Sequence, residues 1–388
     1  MPRLTKVSRL LHVPGIGVDR MGNAADEAQD SEMLRLENLD TDVPPPVIAI
    51  EKTRSAIGID ENNSYLPFFG QDDLRKAAAN RVSRVSGVEY DWRSQCIITA
   101  GGMSGILNCM LATLEPGDEV LVTDPVYAGI VNRIRLVGAV PVYIPLIPTA
   151  AGWRLDIQAL EKTASPRTRM IVVSPGMPSG HVLTSEEWEA IARISCRIDA
   201  WVLYDAAMER ILYDGRSVIH PASFPNMQDR TITVGAASKE LRMIGWRIGW
   251  VVGPQSIMSD IGLVSISNVV CQTGISMSGV AAALNSSDDG LLSALAVWQG
   301  RRDTLLRELD GFPVISPHGG WSMLMDAEAL GLTSQTIVEK LFKEAKIAAT
   351  PMTSWGETAG KYVRFVFSNE PKERLIGLGK KVKKALAL

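Results

Sequence analysis

From about residue 46 onward, apolar and polar positions along the chain fall into a regular rhythm. Seven short runs rich in β-branched and aromatic residues recur: CIITAG (96–101), EVLVTDP (119–125), VPVYIPL (140–146), RMIVVSPG (169–176), AWVLYDA (200–206), TITVGAAS (231–238) and RIGWVVG (247–253). Near-continuous apolar runs of this length, ended by Gly, Pro or Asp, read as buried strands. Most are separated by segments of helical spacing, such as SGILNCMLATLEPGD and TSEEWEAIARISCRID. The second opens Thr184-Ser185-Glu186-Glu187, which predicts a helix capped by Thr184 with Glu187 closing a capping box.

Strands alternating with amphipathic helices imply an α/β sheet covered on both faces. The last two runs follow each other too closely for a crossover helix, so an antiparallel pair is expected there. Residues 1–46 are irregular and end in DVPPP, a stiff, non-helical junction. The final stretch reads as helix, strands (GFPVIS, GGWSMLMDA, YVRFVFS) and helix, which suits a smaller α+β domain. The expected division is a large domain over 46–290 and a small one made of 1–45 with 291–388.

Composition narrows the class of protein. The chain has 388 residues, 46% of them hydrophobic, and a net charge of -3 without any basic block or acidic tail. That pattern gives no reason to expect a nucleic acid or a membrane surface as partner. No apolar run approaches the roughly 18–20 residues needed to span a bilayer. The N-terminal MPRLTKVSRLLHVPGIGV lacks a long apolar core and a small-residue cleavage pattern, and is expected to belong to the mature protein. Four scattered cysteines without a CxxC, and four scattered histidines, argue against a metal site and for a reducing cytoplasm.

The chemistry-bearing residues cluster just past the strands. In open α/β sheets ligands bind outside the carboxyl ends of the strands. Gly101 and Gly102, Asp124 and Tyr127, the turn SPGMPSG (174–180), Asp205, and Ser238-Lys239 all stand there. A convergent pocket is expected from position alone. A lysine carried into a partly buried pocket loses charge stabilisation and becomes nucleophilic. Arg247, in an apolar stretch, wants a fixed anion, and phosphate suits its planar fork. Taken singly, a surface lysine and a snorkelling arginine are the commoner explanations. Asp205 suits either a helix N-terminus or a protonated ring nitrogen. GGMSGIL (101–107) offers free N–H groups to a phosphate, and Tyr127 suits either packing or stacking on a flat ring.

Order and spacing together are more specific than any single residue. SKELRMIGWRIGW (238–250) resembles the S-K-x(5–6)-G-x-R-x-G-W signature of the class I/II aminotransferases, the fold-type-I pyridoxal 5'-phosphate (PLP) enzymes. The resemblance runs from about residue 34 to the C-terminus. It implies an α/β fold with a mainly parallel seven-stranded sheet in the large domain, and a smaller α+β domain. It implies a PLP-dependent aminotransferase that moves an amino group between an L-amino acid and a 2-oxo acid, as a cytoplasmic homodimer with shared active sites. By the same resemblance Lys239 is the Schiff-base lysine, and Ser238 and Arg247 bind the cofactor phosphate. Gly102 and Met103 match the phosphate-binding turn, Tyr127 the ring-stacking aromatic and Asp205 the partner of the pyridine nitrogen. Tyr65 resembles the tyrosine that reaches the neighbouring subunit's phosphate, and Arg364 the arginine that grips the substrate carboxylate.

Departures from the family pattern are informative. SPGMPSG is similar to the family's N-P-x-N-P-T-G, whose second asparagine donates to the phenolic O3′ of PLP; here that position is Met177. The family's other O3′ donor is a tyrosine three residues after the aspartate; here it is Met208. Both donors are absent, so a protonated, more basic lysine–cofactor link is expected, although the apolar thioethers push the other way. Hydroxyls such as Tyr204 or Tyr213, or water, could replace the donors, and the methionines could equally shape the pocket for an unusual substrate. Ala236 stands where a phosphate-binding serine is common, and Leu39 replaces a glycine beside the substrate. No second arginine marks a dicarboxylic substrate, and the apolar HGGWSMLM leans toward a neutral side chain. A different PLP reaction on the same scaffold (β-lyase, decarboxylase or synthase) and a non-catalytic PLP sensor are the remaining alternatives.

Overall fold

The structure is a computed structural model and describes residues 7–388, so part of the N-terminal stretch considered above lies outside the described residues. All seven expected runs are strands, and an eighth joins them. In chain order they are β1 (Cys96–Thr99), β2 (Glu119–Asp124), β3 (Val140–Thr149), β4 (Gly152–Leu155), β5 (Thr168–Val173), β6 (Trp201–Asp205), β7 (Thr231–Ala236) and β8 (Gly249–Val252). The sheet order is β1-β8-β7-β6-β5-β2-β3-β4. The block from β7 to β3 is parallel, so each neighbouring pair is joined by a crossover rather than a hairpin. β8 runs antiparallel to both β7 and β1, as the short connection predicts.

The added strand β4 is a hairpin partner of β3, so the sheet has eight strands rather than seven. Trp153 and Leu155 are buried while Arg154 is exposed. That alternation covers only four residues, too few to separate a strand from a loop in sequence.

Burial explains why these runs are strands. Side chains alternate between faces at period two. Val120 and Val122 of β2, Met170 and Val172 of β5, and Leu203 of β6 join one core layer. Leu121, Ile171, Val173, Val202 and Tyr204 join the layer on the opposite face. Both faces are therefore covered by helices, among them α1 (Gly102–Thr113), α2 (Ala128–Leu136) and α3 (Ser185–Ile198). The capping box at α3 forms as expected: Thr184 Oγ1 accepts from Glu187 N, and Glu187 Oε2 accepts from Thr184 N.

A smaller α+β domain carries a second, fully antiparallel sheet. Its strands β9 (Val314–Ile315), β10 (Ser322–Asp326), β11 (Thr350–Pro351) and β12 (Tyr362–Val366) stand in the order β9-β10-β12-β11. Trp298, Trp321, Phe365 and Phe367 fill its core. Near the N-terminus, Leu34–Arg35 pairs in parallel with Ile347–Ala348, which ties the two ends of the chain together.

Candidate active site

One cavity of about 500 Å³ opens where the carboxyl ends of the parallel strands meet the small domain. The sheet dictates who reaches it. Gly102 and Met103 follow β1, Tyr127 follows β2, Ser174 and Met177 follow β5, Asp205 ends β6, and Ser238 and Lys239 follow β7. Arg247 precedes β8, and because β8 is antiparallel its amino end lies on this same edge.

The Lys239 ammonium donates to the Leu39 carbonyl at 2.7 Å and lies 4.9 Å from the Trp321 ring centre. No carboxylate pairs with it among the described residues. Burial pushes its pKa down to about 8; Asp40 and Asp205 oppose the shift, and the charges of Arg364 and Arg247 reinforce it. The reactive neutral amine is thus accessible near neutral pH.

Asp205 is buried, and burial raises its pKa. Ser174 Oγ donates to its Oδ2 at 2.9 Å and Ala207 N to its Oδ1 at 3.2 Å, and both bonds favour the charged form. The carboxylate is held in one orientation on the cavity wall.

An anion cradle lies beside it. α1 starts at Gly101 without a side-chain cap, which leaves its first N–H groups free. Arg247 Nη1 donates to Ile244 O at 2.9 Å and to Ser238 Oγ at 3.3 Å. Gly101 has φ +82°, and a Cβ there would stand 2.6 Å from Arg247 Nη2, so only glycine lets the helix start and the guanidinium meet. Ala236, where the resemblance expects a serine, also lines the cavity.

Arg364 is fully buried on β12. Its Nη2 donates to Glu37 O at 2.6 Å and to Thr350 Oγ1 at 3.4 Å, while its Nε has no partner. Its guanidinium carbon lies 4.7 Å from the Trp355 ring centre. Burial lowers its pKa to about 10, so it stays charged at neutral pH. A buried, unpaired cation with an orphaned donor on a cavity wall is poised for an incoming anion.

This order of strands, lysine and anion cradle can be compared with known proteins. The sequence profile "Aminotransferase class I and II" matches residues 34–376. The chain belongs to the class I and II aminotransferases. A probable N-succinyldiaminopimelate aminotransferase of Mycobacterium tuberculosis is 32% identical, with 82% of this chain and 81% of that protein covered. An arginine–pyruvate transaminase of Pseudomonas aeruginosa is 28% identical over 89% of this chain and 88% of its own. The solved structure of N-succinyldiaminopimelate aminotransferase from Mycobacterium tuberculosis superposes with a TM-score of 0.91, at 28% identity, over 98% of this chain and 100% of that one. The protein is a pyridoxal-phosphate-dependent aminotransferase of fold type I.

The residues present fit that cofactor. An unpaired lysine, an oriented buried carboxylate and an uncapped helix start with Ser238 and Arg247 share one cavity. Leu39, Met177 and Met208 line it as well. The two tyrosines considered as substitute donors do not line it: Tyr213 donates to Gly320 O at 2.6 Å, and Tyr204, on β6, is buried with its side chain beside Glu209. Tyr65 is 82% exposed and does not line the cavity of its own chain.

Several lining residues carried no sequence signal. Ser174 was part of the quoted turn, yet only the fold brings its hydroxyl to Asp205. Ile16, Val18, Asn38, Ala207 and Ile244 also line the cavity, and Trp355 stands directly behind it. Among the described residues no cluster of His, Cys, Asp and Glu could hold a metal, and no helix is long and apolar enough to cross a membrane.

Proposed function

We propose that this cavity is where amino transfer takes place, between an L-amino acid and a 2-oxo acid. The observation that carries this reading is three cations, Lys239, Arg247 and Arg364, without a carboxylate partner among the described residues and lining one cavity with the buried Asp205.

Bound pyridoxal phosphate supplies an electrophilic carbon for amines and a conjugated ring that takes up the electron pair released at Cα. Lys239 would hold the cofactor, and its Nζ stands as the base that would take the proton from Cα. Asp205 would keep a proton on the ring nitrogen, its carboxylate held in one orientation by Ser174 Oγ and Ala207 N. Ser238, Arg247 and the start of α1, at Gly102 and Met103, would bind the phosphate. Tyr127 would stack on the ring. Arg364 fixes the substrate carboxylate and so chooses the face of Cα presented to Lys239.

The same reading covers the assembly. A division into residues 46–290 and residues 1–45 with 291–388 is supported by the pairing of Leu34–Arg35 with Ile347–Ala348. A homodimer with shared sites is supported by the exposed Tyr65, which has no role in its own chain's cavity. The four unpaired cysteines agree with a cytoplasmic location.

Borohydride reduction of the PLP-loaded protein followed by mass spectrometry tests the central assignment. The native protein should retain one cofactor mass on the peptide containing Lys239, and Lys239→Ala should retain none and lose about 10²- to 10⁴-fold in turnover. A persisting adduct in the variant would refute the role of Lys239.

A further inference from the structure

Asp124 ends β2 on the sheet edge where the cavity opens, yet it does not line the cavity, and the transfer roles leave it unused. It is 2% exposed, and no cation pairs with it among the described residues. A buried carboxylate without a cation is costly unless its oxygens accept hydrogen bonds. Here the donors come from the smaller domain. Thr358 N donates to Asp124 Oδ2 at 2.7 Å, and Thr358 Oγ1 donates to the same oxygen at 3.0 Å. Two residues further along the chain, Val126 N donates to Trp355 O at 2.8 Å. Residues 355–358 belong to the turn that joins β11 to β12, the strand that carries Arg364. Three hydrogen bonds therefore dock that turn onto the carboxyl end of β2.

Shape agrees with this docking. Asp124 Oδ1 has no hydrogen-bond partner and faces Gly356, where a Cβ would overlap it. Gly356 has φ +152°, so glycine is required there both by conformation and by the approach of the carboxylate.

Trp355 carries the docking into the site. It is fully buried; its N donates to Met352 O at 3.1 Å and its Nε1 to Ile16 O at 3.1 Å. Its ring lies 4.7 Å from the Arg364 guanidinium carbon and meets Tyr127 edge-on at 5.3 Å. Among the described residues Arg364 is hydrogen-bonded through Nη2 alone. A guanidinium anchored at one nitrogen can still turn about that anchor, and the indole beneath it fixes its plane. Asp124, Trp355 and Arg364 are all buried within one chain, so these contacts do not depend on what a second copy adds at the cavity mouth.

We infer that Asp124 is a positioning residue for the substrate carboxylate: by docking residues 355–358 it sets Trp355, and through Trp355 the plane of Arg364. The inference rests on the transfer reading given above, in which Arg364 takes that carboxylate.

The test is the half-reaction of PLP-loaded protein, followed by cofactor absorbance, with L-leucine, L-phenylalanine, L-glutamate and L-arginine. Imine formation with 2-phenylethylamine, which is phenylalanine without its carboxylate, is measured alongside. Asp124→Ala should raise the half-saturating concentration about 10-fold for every amino acid the native protein converts, with the maximal rate changed by less than about 2-fold. Reaction with 2-phenylethylamine should change by less than about 2-fold, since Arg364 has no carboxylate to hold there. Asp124→Asn keeps an oxygen for Thr358 and should recover most of the loss. Gly356→Ala lifts the turn without altering Asp124 or Arg364 and should match Asp124→Ala; it decides the matter if Asp124→Ala does not fold. In an Arg364→Ala background, Asp124→Ala should add nothing, because it acts through that arginine. Unchanged half-saturation in Asp124→Ala and Gly356→Ala, an equal loss toward 2-phenylethylamine, or an additive effect with Arg364→Ala each overturns the inference and leaves the transfer reading intact. Conversion of no amino acid by the native protein overturns the transfer reading and the inference with it.

Discussion

Two parts of the cavity lining are held by different means. Asp205, Ser238 and Lys239 sit at the ends of strands whose backbones are hydrogen-bonded on both sides and whose faces are both buried. Ile16 and Val18 sit on a strap held by three side-chain donors, Asn132, Arg135 and Trp355, each worth roughly 1 kcal/mol. Moving a strand end would disrupt a whole ladder, whereas moving the strap breaks a few separable contacts. The contrast implies that the sheet edge is held cooperatively, while Ile16 and Val18 can shift without disturbing it.

Arg364 gives the largest test of that division, because it lies between the two parts. It is anchored on a strand yet stacked on Trp355, which holds the strap. Arg364→Ala should lower kcat/KM for every amino acid about 100-fold, the order expected for a charge-assisted hydrogen-bonded pair. Arg364→Lys keeps the charge but not the planar fork, and should recover only part of the loss. Retention of the cofactor and its absorbance should be unchanged in both. Loss of cofactor would show that the two parts are not separable; the measurement is steady-state kinetics alongside the spectrum.

The two parts also differ in how far they could be read from sequence. The sheet edge was legible because its signals are local. Strand-length apolar runs ending in Asp205 or in Ser238-Lys239 name both the element and the residue at its end. Thr184 and Glu187 announce a helix start within four residues. The hairpin strand β4 was missed because Gly152–Leu155 is too short to show a period. The strap was illegible for another reason. Ile16 and Trp355 are separated by 339 positions, and nothing near either one signals the other. Ser174 sits in the turn after β5, but its bond to Asp205 depends on β5 lying beside β6. Local pattern gives elements and their ends, while contacts between distant segments come only from the fold.

The methionine edge is where the sheet part itself departs from its family. Met177 and Met208 line the cavity, and neither thioether can donate a hydrogen bond. The tyrosine hydroxyls that would compensate are directed elsewhere. The bound cofactor should therefore remain in the form with a protonated lysine link at pH 7. Met177→Asn restores a donor and should lower the midpoint by about one pH unit, about 1.4 kcal/mol. Absorbance titration of the loaded protein reads both. A deprotonated form dominating at neutral pH in the native protein would show that water or another group supplies the missing donor.

The smallest expected effect concerns stability, and it too separates the two parts. Behind Met208 the sheet part buries a carboxyl, Glu209, whose Oε2 has no partner. Its neighbour Glu240 accepts from Arg210 N at 2.8 Å and pairs with Arg81 at 2.5 Å. Burial first, and then the negative charge of Glu240, raise the Glu209 pKa well above the usual carboxylate range; Arg81 and Arg210 only partly oppose this. Above pH 4.5 the native state therefore keeps a proton that the unfolded chain releases. Stability then falls as pH rises through that window, because the native state binds more protons than the unfolded one. Glu209→Gln keeps the shape and the neutral charge without the titration. In the cofactor-free protein the variant should gain at least about 1 kcal/mol over the native protein as pH rises from 5 to 7.5. Lys239 does not interfere, since its own shift acts only above about pH 8, where stability rises with pH instead. Urea unfolding at the two pH values measures the difference. If the strap governed the pH response instead, Asn132→Ala would change the slope of stability against pH and Glu209→Gln would not.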